Sequence, residues 1–218
     1  MSKPSVKDRV TAMVRDVLGP EMKAAGFRRS GRVFWRNGPD VCHVASVEMN
    51  RWGSSDASSF GVALGVFWHR VEAVLGNPTA RKMPPSEYRC TFRIDLGRVI
   101  SMPPKPEWRV THRSNYDAIA AEVWRDLRDY GFAWLKYRSD LKRTLKWKRY
   151  ATRESNGTYS VQELVLPTAQ VVFKVMLGKK ASAVADLKRF AKNGYADHAL
   201  KLARKLRLPS RELARIRA

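Results

Sequence analysis

The residue types that most often bind metals or act as nucleophiles are few in this chain, and their spacing is unfavourable. None of the four histidines forms a metal-ligand spacing with another histidine or with a cysteine. Cys42 and Cys90 each fall in a predicted strand, which favours buried free thiols over a disulfide or a metal site. We therefore expect no metal and no cofactor. The histidines are His43, His69, His112 and His198.

Asp40 and Glu48 resemble the acidic pattern of metal-dependent nucleases, in which two carboxylates hold Mg²⁺ and a lysine positions water. Asn50 stands where that lysine would follow. On one extended strand the two acids would lie ~26 Å apart, too far for a single metal ion. The chain also has no phosphate-binding glycine loop and no Gly-x-Ser-x-Gly motif. The sequence does not settle whether the protein is an enzyme; it favours a non-enzymatic role.

Charge is the feature that departs furthest from an ordinary globular composition. The 218 residues include 42 Lys and Arg against 20 Asp and Glu, a formal net charge of +22. Residues 1–111 carry 18 basic and 10 acidic side chains, and residues 112–218 carry 24 and 10, so the excess rises from +8 to +14. Self-repulsion of this size opposes the compact state, and a polyanionic partner is a natural explanation.

Two basic stretches in the second half form the predicted binding surface. Eight basic residues lie within 136–153 against one acid, and thirteen lie within 174–217 against three. Lysine and arginine neutralise phosphates, and aromatic rings stack on exposed bases. We assign Trp134 and Tyr137 to the core, because they belong to an apolar helical stripe, and leave Trp147 and Tyr150 open. The residues predicted to bind nucleic acid are Lys136, Arg138, Lys142, Arg143, Lys146, Lys148, Arg149, Lys179, Lys180, Lys201, Arg204, Lys205 and Arg207.

The favoured function is a non-enzymatic protein that binds or associates with DNA or RNA, mainly through the phosphate backbone. The alternative is an interaction module, of an immunity or regulatory kind, for an acidic protein. A metal-dependent nuclease or another type of enzyme is the third. No apolar run approaches the ~20 residues of a membrane span, and the N-terminus lacks an apolar secretory stretch, so we expect a cytoplasmic location and no membrane partner. The sequence leaves the oligomeric state open.

The first half shows the signals of a helix followed by a β-hairpin. Ser5-Val6-Lys7-Asp8 is typical of a capping box, and apolar residues at helical spacing then predict a helix that stops at Gly26. Strands are predicted at 33–36 and 41–49, on either side of the turn-forming residues 37–40.

The segment 60–68 has the clearest strand pattern in the chain. Large apolar side chains alternate with Gly61, Ala63 and Gly65, so one face is bulky and the other nearly bare. We expect the long helix predicted below to pack on the bare face, because glycine in a strand often marks a close approach. The alternative is that this face forms the floor of a ligand groove.

Further strands and a long helix follow. Strands are predicted at 89–96 and near 108–110. Ser114-Asn115-Tyr116-Asp117 opens the strongest helix signal, and its apolar stripe continues to Leu145. Gly131 interrupts this stripe, so the pattern indicates one long helix that is bent there.

The last part of the chain shows a turn and then several short helices. Residues 152–157 are typical of a linker or turn. Helical segments follow, with stops at Gly178, Gly194 and Pro209, and Pro167 suits a first helical turn. These segments predict packed helical hairpins.

The order of motifs in the first half is similar to a known pattern. The motifs are a helix ending in Leu18, Gly26-Phe27-Arg28-Arg29, Phe34-Trp35-Arg36 and Phe60-Gly61-Val62-Ala63-Leu64-Gly65-Val66. Together they resemble an uncharacterised bacterial family, catalogued as domain of unknown function 4304, over about residues 5–145. Ser46-Val47-Glu48 stands in the place of a glutamine-containing polar motif of the family, and Ala63 replaces a common asparagine. The resemblance implies a shared fold, and the family offers no established catalytic residues to carry over to this chain.

These elements predict an α+β fold. We expect an antiparallel sheet of about four or five strands, flanked by an N-terminal helix and a long helix, plus a C-terminal all-helical extension. We place the α+β domain at residues 1–150 and the basic helical extension at 151–218.

Overall fold

An N-terminal helix, α1 (residues 6–24), opens the fold, and its start confirms the predicted capping box. The backbone N–H of Asp8 donates to Ser5 Oγ (3.2 Å), and the backbone N–H of Ser5 donates to the Asp8 carboxylate (3.1 Å). The helix comprises Val6–Met13, a π-helical turn at Val14–Leu18, and Gly19–Ala24. Gly26, with a φ of +83°, ends it as predicted. The computed structural model describes residues 4–76, 89–101, 103–146, 151–153, 159–161 and 167–217.

Antiparallel strands form one six-stranded sheet, which confirms the α+β class. The order is β1-β2-β3-β4-β5, and β6 pairs with β4 beside the stretch that pairs with β5. The predicted hairpin and the predicted strand near residue 108 are both present. The strands are β1 (Arg28–Ser30), β2 (Val33–Asn37), β3 (Val41–Met49), β4 (Ala57–Trp68), β5 (Phe92–Asp95) and β6 (Trp108–Thr111).

The bulky face of β4 forms the centre of the hydrophobic core. Its side chains are all buried, and they share one cluster with the apolar residues of α1. Two short helices, α2 (His69–Leu75) and α3 (Leu96–Ile100), follow β4 and β5 directly. The core residues of β4 are Phe60, Val62, Leu64, Val66 and Trp68.

The prediction that the long helix packs on the bare face of β4 is wrong. That helix lies on the bulky face, where the Cβ position of its Gly131 is 3.4 Å from both Leu64 and Leu96. Packing against large apolar side chains removes more apolar area from water than packing against glycine and alanine. On the bare face, Gly65 lies against Cys90, and Gly61 and Ala63 border a groove. The alternative interpretation of this face therefore fits the structure better.

The long helix, α4 (residues 116–138), contains a π-helical turn that changes which residues are buried. It comprises Tyr116–Asp126, the turn Leu127–Gly131, and Phe132–Arg138. A π-turn adds one residue, which rotates the rest of an α-helix by about 100°. Leu135 and Arg138 are consequently buried, while Tyr137 is 38% exposed and Trp134 only partly buried. The assignment of Tyr137 to the core is therefore wrong.

The predicted single helix through residue 145 is also interrupted. The helix α4 ends before Ser139, and a separate helix, α5 (Leu141–Lys146), follows. Asp140 stabilises this new start, because its Oδ1 accepts from the backbone N–H groups of Lys142 (2.9 Å) and Arg143 (3.0 Å).

The C-terminal region contains the predicted helices and one short ribbon that the sequence did not predict. Strands β7 (Ala151–Arg153) and β8 (Tyr159–Val161) pair antiparallel. Positive φ angles at Gly178 and Gly194 confirm both predicted glycine stops. The helices are α6 (Pro167–Met176), α7 (Lys180–Phe190), α8 (Ala196–Lys205) and α9 (Ser210–Arg217). Within the described residues, no helix is long and apolar enough to cross a membrane.

The C-terminal helices pack on the same core as the sheet. Phe173 of α6 is fully buried, with its ring 5.8 Å from Phe92 and 5.3 Å from Trp68, centre to centre. Such aromatic contacts add to the free energy of burying the rings. A domain boundary near residue 150 stays a prediction, and across it the hydrophobic core is continuous.

Replacing Phe173 with alanine tests how strongly the C-terminal helices support the sheet. We expect Phe173→Ala to lower the free energy of unfolding by about 3–5 kcal/mol, because it leaves a cavity between Phe92 and Trp68. Denaturant unfolding followed by tryptophan fluorescence measures the change. Gln170→Ala, a partly buried polar position on α6, is the matched control and should change stability by less than about 1 kcal/mol. An equal loss of unfolding free energy in the two variants would show that Phe173 does not connect the C-terminal helices to the sheet.

Candidate functional site

A cationic surface lies on the last helices. Lys201, Arg204 and Lys205 are exposed on one face of α8, at spacings of three and four residues, while Ala199 and Leu202 are buried on the other. On the polar face, Lys201 and Arg204 form no hydrogen bond with a described residue. We define the helical cationic surface as Lys179, Lys180, Lys201, Arg204, Lys205 and Arg207, all of which are exposed.

The helical hairpin brings the two ends of this surface together. The helices α7 and α8 pack on one another and are joined by a turn at Asn193 and Gly194. In such a hairpin the start of the first helix lies beside the end of the second. Lys179 and Lys180, which precede and begin α7, therefore lie at the same end as Lys205. The Nζ of Lys205 donates to the carbonyl oxygen of Val74 (2.8 Å), so its charge also complements the C-terminus of α2.

Carboxylates leave most of this surface uncompensated. Two acids lie within 179–207. The first, Asp186, forms ion pairs with Lys174 (2.5 Å) and Arg189 (3.1 Å). Asp197, the other acid, is exposed on α8 four residues before Lys201. None of the six residues of the surface forms an ion pair with any residue that the structure describes.

The predicted residues before 150 contribute less to a surface. Lys136, Lys142 and Arg143 are exposed, and Arg143 pairs with Asp140 at 3.5 Å. Arg138 is only 4% exposed, and its guanidinium lies 5.6 Å from the ring centre of Phe92. The π-turn of α4 places it there, so Arg138 does not belong to the proposed phosphate-binding surface. Lys148 and Arg149, with Trp147 and Tyr150, lie outside the described residues, as does the side chain of Lys146.

A second cationic region, which the sequence did not predict as a site, is a cleft of about 630 Å³ at the end of the sheet. It lies where the turn between β2 and β3 approaches the end of α1 and the start of α2. We call it the arginine cleft and define it by Arg28, Trp35, Arg36, Asn37 and His69. None of the described residues that line it carries a carboxylate.

The Arg36 side chain projects from the face of the sheet opposite to Arg28 and Trp35, and neutral groups hold it there. Its Nη1 donates to the carbonyl oxygen of Ala25 (2.9 Å), and its Nη2 lies 3.3 Å from His43 Nδ1. The guanidinium carbon also lies 4.8 Å from the ring centre of Phe27. Arg36 forms no ion pair with a described carboxylate, so its charge is fixed in place and uncompensated.

The hydrogen bonds of Arg36 determine the tautomer of His43. An arginine can only donate, so His43 Nδ1 accepts and the proton resides on Nε2. Nε2 then donates to Ser139 Oγ (2.6 Å), and Ser139 Oγ donates to the carbonyl oxygen of Leu135 (2.7 Å). Burial, aided by the charge of Arg36, lowers the pKa of His43 to about 4. His43 is therefore neutral near pH 7.

This chain of donors argues against a nucleophilic serine. A serine nucleophile must donate its proton to a histidine acting as base, and that histidine is oriented by a carboxylate. Here Ser139 accepts from His43, and Arg36 stands where the carboxylate would be. Cys42 is no better a nucleophile, because burial raises the pKa of its thiol to about 12.

The groove beside the bare face of β4, which we call the sheet groove, has a volume of about 320 Å³. Unlike the cleft, it is lined by paired charges. Arg93 bonds Glu48 at 3.0 Å, and Lys105 bonds both Glu122, at 2.5 Å, and Asp126. Charges that neutralise one another in this way stabilise the fold and attract a charged ligand weakly.

The structure provides no metal site at the acidic residues considered from the sequence. Asp40 lies in the turn before β3, and Glu48 lies near the far end of that strand. No group of three or more His, Cys, Asp or Glu residues suited to a metal ion occurs in the described part of the chain.

Comparison with known proteins identifies one family. A family model described as Domain of unknown function (DUF4304) matches residues 18–137, more than half of the chain. The matched range contains the whole arginine cleft and ends before α5. Searches of curated proteins and of solved structures return no significant match.

The neutral state of His43 predicts a specific dependence of stability on pH. Because its folded pKa of about 4 lies below the unfolded value of 6.5, the unfolded chain binds the additional proton between these values, and stability falls as the pH falls. Between pH 7.5 and pH 5 we expect the wild type to lose about 2 kcal/mol more than His43→Gln. Denaturant unfolding of both proteins across this range measures the difference. Parallel curves would contradict a buried neutral His43.

Proposed function

The chain belongs to the DUF4304 family, and we propose that it is a non-enzymatic protein that binds the phosphate backbone of DNA or RNA through the helical cationic surface. The observation that carries this proposal is the set of exposed cations on and around α8 that have no ion pair with a described residue. Each such cation holds mobile counterions, and their release on contact with phosphates drives association.

The backbone at Arg207 supports the proposal. Arg207 is the one described non-glycine residue with a positive φ, +53°. This left-handed conformation costs an ordinary residue about 1–2 kcal/mol, and glycine usually occupies it at the end of a helix. An exposed arginine here makes the surface more cationic at the expense of stability.

Tyr195 adds an aromatic group near the other end of the hairpin. Its side chain is 65% exposed, in the turn between α7 and α8, and the exposed Lys192 lies in the same turn. An exposed ring beside a cation suits stacking on an unpaired base. This feature favours a single-stranded nucleic acid or a nucleic acid with unpaired ends.

Removing charge from the helical cationic surface tests the proposal. We expect the triple variant Lys201→Gln, Arg204→Gln, Arg207→Gln to bind a DNA or RNA oligonucleotide more weakly at low salt. Its log–log slope of affinity against salt should be shallower by about 1 for each phosphate that the variant no longer neutralises. Fluorescence anisotropy over a salt series measures both quantities.

A matched control distinguishes binding at a defined surface from a general effect of the protein's net charge. The triple variant Lys7→Gln, Lys23→Gln, Arg109→Gln removes the same charge from exposed positions elsewhere. The log–log slope of affinity against salt for this control variant should be nearly that of the wild type. Equal losses in both variants, or no binding of DNA and RNA at low salt, would contradict the proposal. A partner captured from nuclease-treated lysate in place of nucleic acid would instead indicate an acidic protein.

Arg207→Gly separates binding from stability at a single position. Glycine relieves the left-handed strain, so we expect the free energy of unfolding to stay level or rise by up to about 1 kcal/mol. Binding of the oligonucleotide should weaken at the same time. Arg207→Lys keeps the charge and should bind nearly as the wild type does. Unchanged binding by Arg207→Gly would remove Arg207 from the proposed surface.

A further inference from the structure

A pocket of about 570 Å³ lies where the turn between β3 and β4 meets the start of α1. Its volume is within the range of small-molecule sites, roughly 300–1,000 Å³. It lies at the end of β3 opposite to the arginine cleft, which borders the turn between β2 and β3. We call it the turn pocket and define it by Lys7, Arg32, Asn50, Arg51, Ser55 and Ser58.

The strand register directs Arg32 to the same face of the sheet as the start of α1. The carbonyl oxygen of Arg32 accepts from the backbone N–H of Val47 (3.0 Å), which places Arg32 opposite a residue that is buried in the core. Met49 and Ser58 lie on that face too, because Met49 pairs with Phe60 and Ser58 precedes Phe60 by two residues. The three side chains that line the pocket from the sheet therefore converge on one face.

Backbone hydrogen bonds hold the other walls in place. The N–H of Val6 donates to the carbonyl oxygen of Ser55 (3.1 Å), so the turn is fixed to the first residue of α1. The N–H of Asn50 donates to the carbonyl oxygen of Ser59 (2.8 Å), and Asn50 Oδ1 accepts from the N–H of Trp52 (2.9 Å). A pocket held in this way loses little conformational entropy when a ligand binds.

Arg32 is a partly buried cation whose charge is not compensated within the described residues. Its Nη1 is inaccessible to solvent and has no hydrogen-bond partner, and its guanidinium forms no ion pair with a described carboxylate. Removing a charged donor from water without a partner costs free energy. Because Arg32 borders the pocket, an anion bound there would offset that cost.

The rest of the lining is also favourable to an anion. Lys7 and Arg51 are exposed, and among the described residues that line the pocket none is an Asp or a Glu. The acids that lie closest in the sequence have other partners. Asp8 caps the first turn of α1, and Asp56 lies 3.0 Å from His112 Nε2. An excess of positive charge at a concave surface attracts anions.

The remaining side chains of the pocket are polar and small. Asn50 and Ser58 offer an amide and a hydroxyl group, which both donate and accept hydrogen bonds. No aromatic side chain occurs among the lining residues that the structure describes. These groups suit a ligand that carries hydroxyl groups better than one that carries a flat ring.

We propose that the turn pocket binds a small phosphate monoester whose remaining part is rich in hydroxyl groups, as in a sugar phosphate. Arg32 and Arg51 hold the phosphate by charge-assisted hydrogen bonds, for which the planar guanidinium is suited to bidentate contact. Asn50 and Ser58 bond the hydroxyl groups. The site shares no residue with the helical cationic surface.

Calorimetric titration of the full-length protein tests the proposal. The probes are ribose 5-phosphate, inorganic phosphate and ribose. We expect saturable binding of ribose 5-phosphate at one site, at least about tenfold tighter than the binding of either inorganic phosphate or ribose. No saturable binding of ribose 5-phosphate would overturn the proposal. Equal affinity for inorganic phosphate would overturn the assignment of the hydroxyl groups, and equal affinity for ribose would overturn that of the phosphate.

Three variants locate the binding. Arg32→Gln should weaken the binding of ribose 5-phosphate tenfold or more, because it removes the partly buried charge. Arg51→Gln, at an exposed position, should weaken it roughly threefold or more, and it tests the pocket even where Arg32→Gln impairs folding. Lys23→Gln removes one exposed charge near the other end of α1 and should leave the affinity within about twofold. Equal losses in Arg51→Gln and Lys23→Gln would overturn the proposal.

A comparison with nucleic-acid binding separates the two proposals. The variant that lacks the charges of Lys201, Arg204 and Arg207 should bind ribose 5-phosphate as the wild type does, whether or not it binds an oligonucleotide. Weaker binding of ribose 5-phosphate by that variant would place the phosphate on the helical cationic surface and overturn the proposal for the turn pocket.

Discussion

The fold depends on the burial of one face of β4. Strand β4 pairs with β3 on one side and with β5 and β6 on the other, so it holds the sheet together. Its large side chains, from Phe60 to Trp68, are covered by helices drawn from both ends of the chain. Helices α1, α4 and α6 contribute side chains to the core on that face. The opposite face carries the smaller buried cluster of Cys42, Val44 and Phe67 together with polar groups. The sheet groove lies on the bare face, and the arginine cleft lies at the end of the sheet, beyond the core.

The elements that local chemistry dictates were predictable from the sequence. The capping box at Ser5, the glycine stops and the alternation along β4 each follow from hydrogen bonding or side-chain direction within a few residues. The fold class follows from their order. The π-turn in α4 was not predictable in this way, because the apolar residues on either side of Gly131 fit an uninterrupted α-helical stripe equally well. That one additional residue decides whether Arg138 is a surface cation or a core residue.

The two candidate sites differ in how well the sequence predicts them. The helical cationic surface was predicted, because spacing on a single helix suffices to place Lys201, Arg204 and Lys205 together. The arginine cleft was not, although Phe34-Trp35-Arg36 stood out as a motif. Its chemistry depends on the register that sets Arg28 opposite Trp35, and on the distant partner Ser139 that fixes His43. Neither relation has a local signal.

Positively charged side chains occur in three different environments in this molecule. In the sheet groove, carboxylates neutralise Arg93 and Lys105, and those cations mainly stabilise the fold. On the helical cationic surface, exposed cations are balanced by mobile ions, so binding there responds steeply to salt. At Arg36 the cation is held by neutral acceptors in a concave site, where screening is weaker and orientation is fixed. The Arg36 cation has a fixed orientation, whereas the cations of the helical surface lie on exposed side chains. Because the cleft lies within the family range and the helical surface outside it, these two environments of positive charge belong to different parts of a chain that shares one continuous core.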